Sequence, residues 1–592
     1  MSNTVSSRSA KLLPLGLFLT VIAAAFSFAF TPLRASQDEW WHLKTGLWII
    51  ENRRLPVNDI FTYTGENMPW HNHEWLAQMI FYAVYEWGGR RAIGAVRALI
   101  VFKALIFAAA IAVLALLARM RCGAWAPALL TAVLAAEISR RTIYPRPPIF
   151  SYLLFAVFLF ALSAWKMRLL RGRWLWALAP LMVVWANLHG MCLLGIFATG
   201  AFAAGEFVET VRNSEFSIKN WTKPSFIRRM LSPSFLFLAG LTLALIVCAM
   251  ANPAGWRMFF LGRNFTGDPL LRFVIAEMQP PPFPLQRVDF RNGTWGLVFV
   301  PGFATFWVTA AAFVILLGWN RFRLAFAADY FIAGFFLYQA ASHWRLLPLF
   351  ALAVAGPLAW LITERLRMLS ARALRSAHFG LGGLAALLAF LYVFTVGEPP
   401  PHTFFRRNLQ LWRGGVMNHT EYPSELMDFI IRARLPDRMF SEINYCGYTM
   451  WRLSPEHHKL FTDNRFDVFG SRFYGEAETI ASGLERGDSI AAIHTVRENW
   501  RELLDRYGIN FIVISAEAPL NQKLRAQGGW KRICYTSPPS ASGIIPLEGF
   551  HVYLRDDPRF AGAAARALEL FQQQHPLWPA PGQLDKMRTS PF

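Results

Sequence analysis

Residues 98–118 read ALIVFKALIFAAAIAVLALLA, an unbroken apolar run whose single charge is Lys103. At 1.5 Å rise per residue, a helix of this length spans about 30 Å, the thickness of a bilayer's hydrocarbon core. Working outward, comparable runs lie at 11–33, 124–138, 149–165, 174–188, 191–209, 235–252, 297–317, 325–342, 346–362 and 379–396. The chain therefore reads as a polytopic α-helical membrane protein of about eleven spans, 124–138 and 174–188 being the shortest. Composition agrees, with 54% apolar and only 16% charged residues, where soluble chains carry about 25% charged. Its 592 residues are thus not the string of roughly four soluble domains that length alone suggests. Five cysteines are too few for a disulfide scaffold.

The formal net charge of +21 lies almost wholly before Gly397, between the apolar runs. A nucleic-acid binder would gather such an excess on a folded polar face, so no nucleic-acid partner is expected. If the N-terminus is cytoplasmic, the inner segments carry Lys166, Arg168, Arg171, Arg173, Arg228, Arg229, Arg365, Arg367, Arg372 and Arg375, opposed by Glu215 and Glu364. The positive-inside rule selects this orientation. Arg140, Arg141 and Arg146 fall outside as exceptions. The first run is too long for a signal-peptide core, and Phe28-Ala29-Phe30-Thr31-Pro32 is a poor cleavage site, so it reads as an uncleaved span.

An odd number of spans puts the tail outside, giving a transmembrane domain over 1–396, which includes a long outer loop 34–97, and a soluble α/β domain over 397–592. In the loop, amphipathic helices are expected around Trp40–Asn52 and Glu74–Gly88. Trp40, Trp41, Trp48, Trp70, Trp75 and Trp87 would suit helices lying flat at the membrane interface. A second outer loop, 253–296, carries the Pro-rich stretch 280–284. In the tail, Met439–Ile443, Lys459–Thr462, Ile509–Ser515, Lys531–Tyr535 and His551–Leu554 read as strands. Ile490–Tyr507 reads as one long amphipathic helix, and a helix also fits around Leu426–Ile431. Cys446 and Cys534 lie in this outer region, where a disulfide is open to them.

The sharpest chemical feature is Gln37-Asp38-Glu39-Trp40-Trp41-His42-Leu43-Lys44-Thr45-Gly46, directly outside the first span. Adjacent carboxylates at a membrane surface are costly to desolvate, which points to use. Alternatively, they simply open a helix, whose N-terminus favours acids. Asp59-x-Phe61-x-Tyr63-Thr64, Pro69-Trp70-x-Asn72-His73-Glu74-Trp75-Leu76, Trp185-x-Asn187-Leu188-His189-Gly190, Asn252-Pro253-x-Gly255 and Asp463-Asn464-Arg465-Phe466 are further strings of unusual composition.

An acidic pair after the first span, a long loop, many spans and an outer soluble domain together resemble the GT-C superfamily of integral membrane glycosyltransferases. The resemblance covers most of the chain. It extends to protein-mannosyltransferase-like and aminoarabinose-transferase-like enzymes and to a bacterial subgroup bearing the strings quoted above. It implies a GT-C-like fold in a bacterial inner membrane and a polyprenyl-phosphate sugar donor. The acceptor would be a glycan, lipid or protein hydroxyl at the outer face. It also implies that the first acid, Asp38, acts as base in a single inverting displacement, with Glu39 as reserve base or metal ligand. Relatives often carry a second Asp where this chain has Ser36, so a two-carboxylate metal site involving that position is not supported.

Sugar transfer from a lipid phosphate needs a base for the acceptor proton and positive charge or a metal on the leaving group. Arg345, in a short outer turn, is suited to grip phosphate oxygens, with Arg97 and Arg146 as further phosphate residues; each is alternatively an interfacial Arg reaching headgroups. His42, His71, His73, Glu74, His189 and Glu277 complete the expected substrate-site wall. A divalent cation is an open alternative at His71-Asn72-His73-Glu74. However, the i, i+4 spacing of a helical metal pair is missing, and Asn72 suits a helix cap. Asp463, Arg465 and Asp467 read either as acceptor recognition or as mutual salt bridging. Two rivals stand beside the transferase: a transporter or flippase of a lipid-linked intermediate, using Glu206 or Asp329, and a non-catalytic envelope assembly or sensor protein.

Overall fold

The structure is a computed structural model; it describes residues 2–33, 38–213, 231–260, 267–283, 285–289, 295–394, 422–491, 493–536 and 549–582. Ser36, Glu215, Arg228, Arg229, Pro284, the last two positions of the 379–396 run and the start of the tail at Gly397 lie outside them. Two compact units form. One holds Met1–Thr31, Val84–Phe259 and Ile275–Gly414; the other holds Pro32–Ala83, Phe260–Val274 and Gly415–Phe592.

In the first unit every predicted apolar run contains a helix. They are α1 (Ser2–Ala29), α4 (Ala95–Cys122), α5 (Trp125–Ser139), α6 (Pro148–Lys166), α7 (Leu178–Leu188), α8 (Leu193–Asn213), α9 (Pro233–Ala249), α10 (Pro301–Trp319), α11 (Ala328–Ser342), α12 (Leu347–Leu366) and α13 (Ala371–Phe394). Among the described residues, six helices are long and apolar enough to cross a membrane: Ala95–Cys122, Pro148–Lys166, Gly190–Asn213, Pro301–Trp319, Trp344–Leu366 and Ala371–Leu391. The ends follow local chemistry. Proline opens α6, α9 and α10 at a position whose N–H has no helical partner, and Gly123 closes α4 in the left-handed region at φ 77°. Two expectations need correction. The run 297–317 begins as a strand, because the hairpin β1 (Leu285–Asp289) and β2 (Trp295–Phe299) takes its first residues and the helix starts only at Pro301. The run 174–188 opens with the 3-10 turn Gly172–Ala177, which leaves an eleven-residue α-helix.

Helix α12 forms the centre, packed against α4, α5 and α11, with Phe350, Val354, Ala355 and Leu358 buried. Small residues such as Ala104, Ala108, Ala115 and Ala118 let helices approach α4 closely, the usual device where lipid offers no hydrophobic drive. Leu105, Leu236, Val247 and Ile315 face outward, as lipid-facing side chains do. Lys103, the lone charge of the quoted run, is buried and donates to Thr31 Oγ1 at 3.1 Å.

One end of this unit is stitched by ion pairs. Arg121 at the end of α4 grips Asp329 at the start of α11, with Nη1 3.0 Å from Oδ1. Lys166 at the end of α6 pairs with Glu206 and with Glu209, the latter at 2.6 Å. The two acids that a transporter would use are thus committed to cations.

The second unit centres on a four-stranded sheet in the order β3 (Met439–Ser441), β6 (Phe511–Ser515), β8 (Phe550–Arg555), β7 (Trp530–Tyr535), with β3–β6 parallel and the other pairs antiparallel. Phe440, Ile512, Ile514 and Tyr553 share its core with Leu503, Leu504, Leu520 and Leu524 from helices α17 (Trp500–Arg506) and α18 (Pro519–Gln527). Helices α14 (Ser424–Ala433), α15 (Cys446–Leu453), α16 (Phe466–Ala481) and α19 (Ala561–Gln574) complete it. Lys459–Thr462 is not a strand; only Leu460 bridges, to Thr62. The long helix expected over Ile490–Tyr507 is instead the short pair β4 (Ser489–Ile490) and β5 (His494–Thr495), followed by α17. There Asn499 and Glu502 form a reciprocal capping box that starts the helix late. Cys446 and Cys534 are separate free thiols.

The loop 34–97, expected to belong whole to the membrane domain, divides. Its residues up to Ala83 fold with the tail, because Phe61 O accepts from Leu460 N at 3.0 Å and from Ser454 Oγ at 2.7 Å, while Tyr63 and Met68 pack on the tail's core. The flat interfacial helices are therefore revised. In α2 (Asp38–Asn52), Trp40, Trp41 and Leu43 are buried in protein, as is Trp70; Trp87, at the end of α3 (Trp75–Gly89), stays exposed. Gly46 fixes how closely α2 and α3 approach, since a Cβ there would lie 2.2 Å from Gln78 O. Gly46→Ala should destabilise this unit by about 1–3 kcal/mol, read as a lower unfolding temperature of the detergent-solubilised protein. An unchanged temperature would show that the two helices can separate freely.

Candidate functional site

The second unit builds its polar centre at the start of α2. Asp38 and Glu39 occupy the first turn, where the helix dipole favours negative charge. They differ in environment. Glu39 is 2% exposed and accepts from Tyr422 Oη at 3.2 Å. Asp38 is half-buried, and Asn464 Nδ2 lies 3.5 Å from its Oδ1. Trp40 is held in an aromatic nest by Tyr422, Tyr448 and Trp451, with centroids at 5.5, 5.1 and 6.1 Å. Farther along α2, buried Lys44 reaches Glu456 at 2.7 Å.

Below this turn lies a fully buried charge cluster. Arg465 meets Asp463 through Nε (2.9 Å to Oδ1) and Nη2 (2.5 Å to Oδ2), and meets Asp59 through Nη2 at 2.5 Å. Its guanidinium also stacks over Trp70 at 4.4 Å and Phe61 at 5.2 Å. Asp59 further accepts from Phe61 N, Thr62 N and Thr62 Oγ1. Burial pushes the Asp59 carboxyl up, but Arg465 and these donors outweigh it and hold the group below the ordinary Asp range. Asp463 and Arg465 are thus bridged to each other, and the partner that sequence reasoning missed is Asp59. Beside them, burial and the Asp463 charge push the Cys446 thiol far up, so it stays neutral.

His71-Asn72-His73-Glu74 is a capped turn. Asn72 Oδ1 accepts from Glu74 N at 3.3 Å, and its Nδ2 donates to Gln78 Oε1 at 2.7 Å. His73 is partly buried with Nε2 3.8 Å from Glu74, and desolvation pulls its pKa down, so it is neutral at pH 7. His42 is buried between Trp41 and Phe81. Among the described residues no group of three or more His, Cys, Asp or Glu side chains is gathered to hold a metal.

The first unit holds a separate charged cluster, at the ends of α6 and α11 opposite to the Lys166 and Asp329 pairs. Arg146, with Pro145 and Pro147 on either side, leads into α6; Arg345 follows α11. Between them stands Glu277, with Oε1 3.0 Å from Arg146 Nη2 and Oε2 3.8 Å from Arg345 Nε. The bond from Trp344 N to Gln279 O, at 2.9 Å, ties the loop of Glu277 to the turn of Arg345. Burial raises the Glu277 carboxyl, but Arg146 and then Arg345 outweigh it and hold the group below the usual Glu range. At neutral pH Glu277 is charged and faces both guanidiniums. Tyr152 of α6 lies within electrostatic range of all three. Its neighbour Ser151 lies 3.0 Å from His189 Nδ1 and accepts from Trp185 Nε1 at 2.8 Å.

No protein-family model and no curated protein matches the chain. Among solved structures, it is similar to ArnT from Cupriavidus metallidurans. Against the apo state the TM-score is 0.45 at 13% identity, covering 93% of this chain and 98% of that one. Against the same protein bound to undecaprenyl phosphate it is 0.44 at 13%, covering 92% and 98%.

The expected site residues thus fall into two sets. Asp38, Glu39, His42, His71, His73 and Glu74 lie in the second unit; Arg97, Arg146, His189, Glu277 and Arg345 lie in the first. Glu277 joins Arg146 and Arg345 directly, whereas Arg97 donates to the Ile93 carbonyl of the preceding turn. Tyr422 and Lys44–Glu456 were invisible in the sequence, since nothing local marks a contact across hundreds of positions.

Proposed function

We propose that this chain is a membrane glycosyltransferase of GT-C type, moving a sugar from a polyprenyl-phosphate carrier to an acceptor hydroxyl at the outer face of the inner membrane. The observation that carries this reading is the pair Arg146 and Arg345, both turned to the carboxylate of Glu277 at the helix ends opposite the Lys166 and Asp329 pairs. Two neighbouring guanidiniums suit the phosphate of a lipid carrier, since each can present two donors to its oxygens.

In the transfer, Asp38 takes the acceptor's hydroxyl proton as the acceptor oxygen bonds to the anomeric carbon. The bond from that carbon to the phosphate oxygen breaks, its electron pair leaves with the carrier phosphate, and configuration inverts. Within the first unit, Arg146 and Arg345 are the residues suited to hold the phosphate of the carrier. Glu277 holds the two side chains in place before the carrier arrives.

Undecaprenyl phosphate titrated onto the purified protein tests this. The wild type should bind it, and Arg146→Ala and Arg345→Ala should each weaken binding by about tenfold or more. Binding untouched by both substitutions would remove the carrier site.

A further inference from the structure

We infer that Asn464, supplied by the tail, is a positioning residue for Asp38. The inference rests on Asp38 serving as base and assigns a part in catalysis to the outer domain. Asn464 Nδ2 points a donor at Asp38 Oδ1 from 3.5 Å, a long contact of the kind that tightens when substrate fills a site.

The half-buried residue is held by its chain neighbours. Asp463 and Arg465, its chain neighbours, are 1% exposed and bound to each other and to Asp59. The Asn464 carbonyl accepts from Phe466 N at 2.9 Å. Cys446 opens α15, whose Tyr448 packs on Trp40, two residues from Asp38. The acid and the amide are therefore held in a common frame, one from the start of α2 and the other from the tail. A mere spacer would not need its two neighbours locked in a buried ion cluster.

The amide donor orients the carboxylate and leaves it anionic, so that it meets the acceptor's proton from a set direction. Orientation of this kind changes turnover and leaves carrier affinity alone. In cells whose only copy is the variant, the product glycan is followed by mass spectrometry after timed induction, alongside undecaprenyl phosphate binding to purified protein. Asn464→Ala should slow product accumulation about tenfold or more, the worth of a hydrogen bond to a charged group. Asn464→Asp should slow it further, because it sets a second carboxylate against the first. Asn464→Ser, which keeps a donor, should recover part of the rate. Carrier binding and the unfolding temperature should stay near wild type in all three.

Wild-type accumulation in both Asn464→Ala and Asn464→Asp, with Asp38→Asn inactive in the same strain, would overturn the positioning role and leave the base in place. Equal loss of rate and of carrier binding in all three variants, Ser included, would also overturn it, as a purely structural residue gives that result. Undiminished product in Asp38→Asn would remove the base reading and this inference with it.

Discussion

Arg465→Ala is expected to destabilise strongly the unit that holds the four-stranded sheet, through the charges it strands. The guanidinium is the only cation bonded to Asp59 and Asp463 among the described contacts, and all three side chains are sealed from water. Removing one partner of a buried ion pair costs about 3–5 kcal/mol, because the other charge remains buried. For a domain of this size that corresponds to a fall in unfolding temperature of about 10 °C or more. Thermal unfolding of the solubilised protein reads it directly. The triple change Asp59→Asn, Asp463→Asn, Arg465→Met should cost much less. It removes the charges together, and the amide oxygen introduced at position 59 can still accept from the Phe61 and Thr62 N–H groups. Equal losses in the single and triple variants would show that packing over Trp70 and Phe61, rather than charge, is what Arg465 supplies.

The second large effect is on activity. Asp38→Asn keeps size and shape but cannot take a proton, and loss of a general base typically slows an enzyme 10²–10⁴-fold, as an order of magnitude. Glu39 is poorly placed to compensate. It is almost fully buried and receives the Tyr422 hydroxyl, so it holds the start of α2 against the tail. The envelope glycan profile of cells carrying Asp38→Asn should therefore lack the wild-type product, while the protein is inserted in normal amount. Glu39→Gln, which can still accept from Tyr422, should retain far more product. A Glu39→Gln profile as empty as that of Asp38→Asn would exchange the two roles.

How legible all this was depended on the range of the interaction. The helices were readable because membrane burial is written into each segment separately: every apolar run contains a helix, and Pro148, Pro233, Pro301 and Gly123 mark ends by local backbone chemistry. Strands β6, β7 and β8 were close to expectation for the same reason. The tryptophans of α2 misled because an indole buried in a protein core and one at a lipid interface leave the same mark in a sequence. What separates them is the pairing of residues near 60 with residues near 460, which no local pattern shows. The site shows the same divide. Arg146, Glu277 and Arg345 were each identifiable as polar residues in segments between apolar runs, but the convergence of both arginines on the Glu277 carboxylate was not. Asp59 stood in a quoted string without its partner, because an ion cluster is completed by tertiary structure.

The central claim is that the chain strips a sugar from a lipid phosphate with Asp38 as base. Membranes from cells making the wild type or Asp38→Asn can be assayed by mass spectrometry for polyprenyl carrier freed of its sugar, as mono- or diphosphate, over time. The account predicts steady release with the wild type and release slowed at least about a hundredfold with the variant. Equal release from both, or none above membranes lacking the protein, would contradict it.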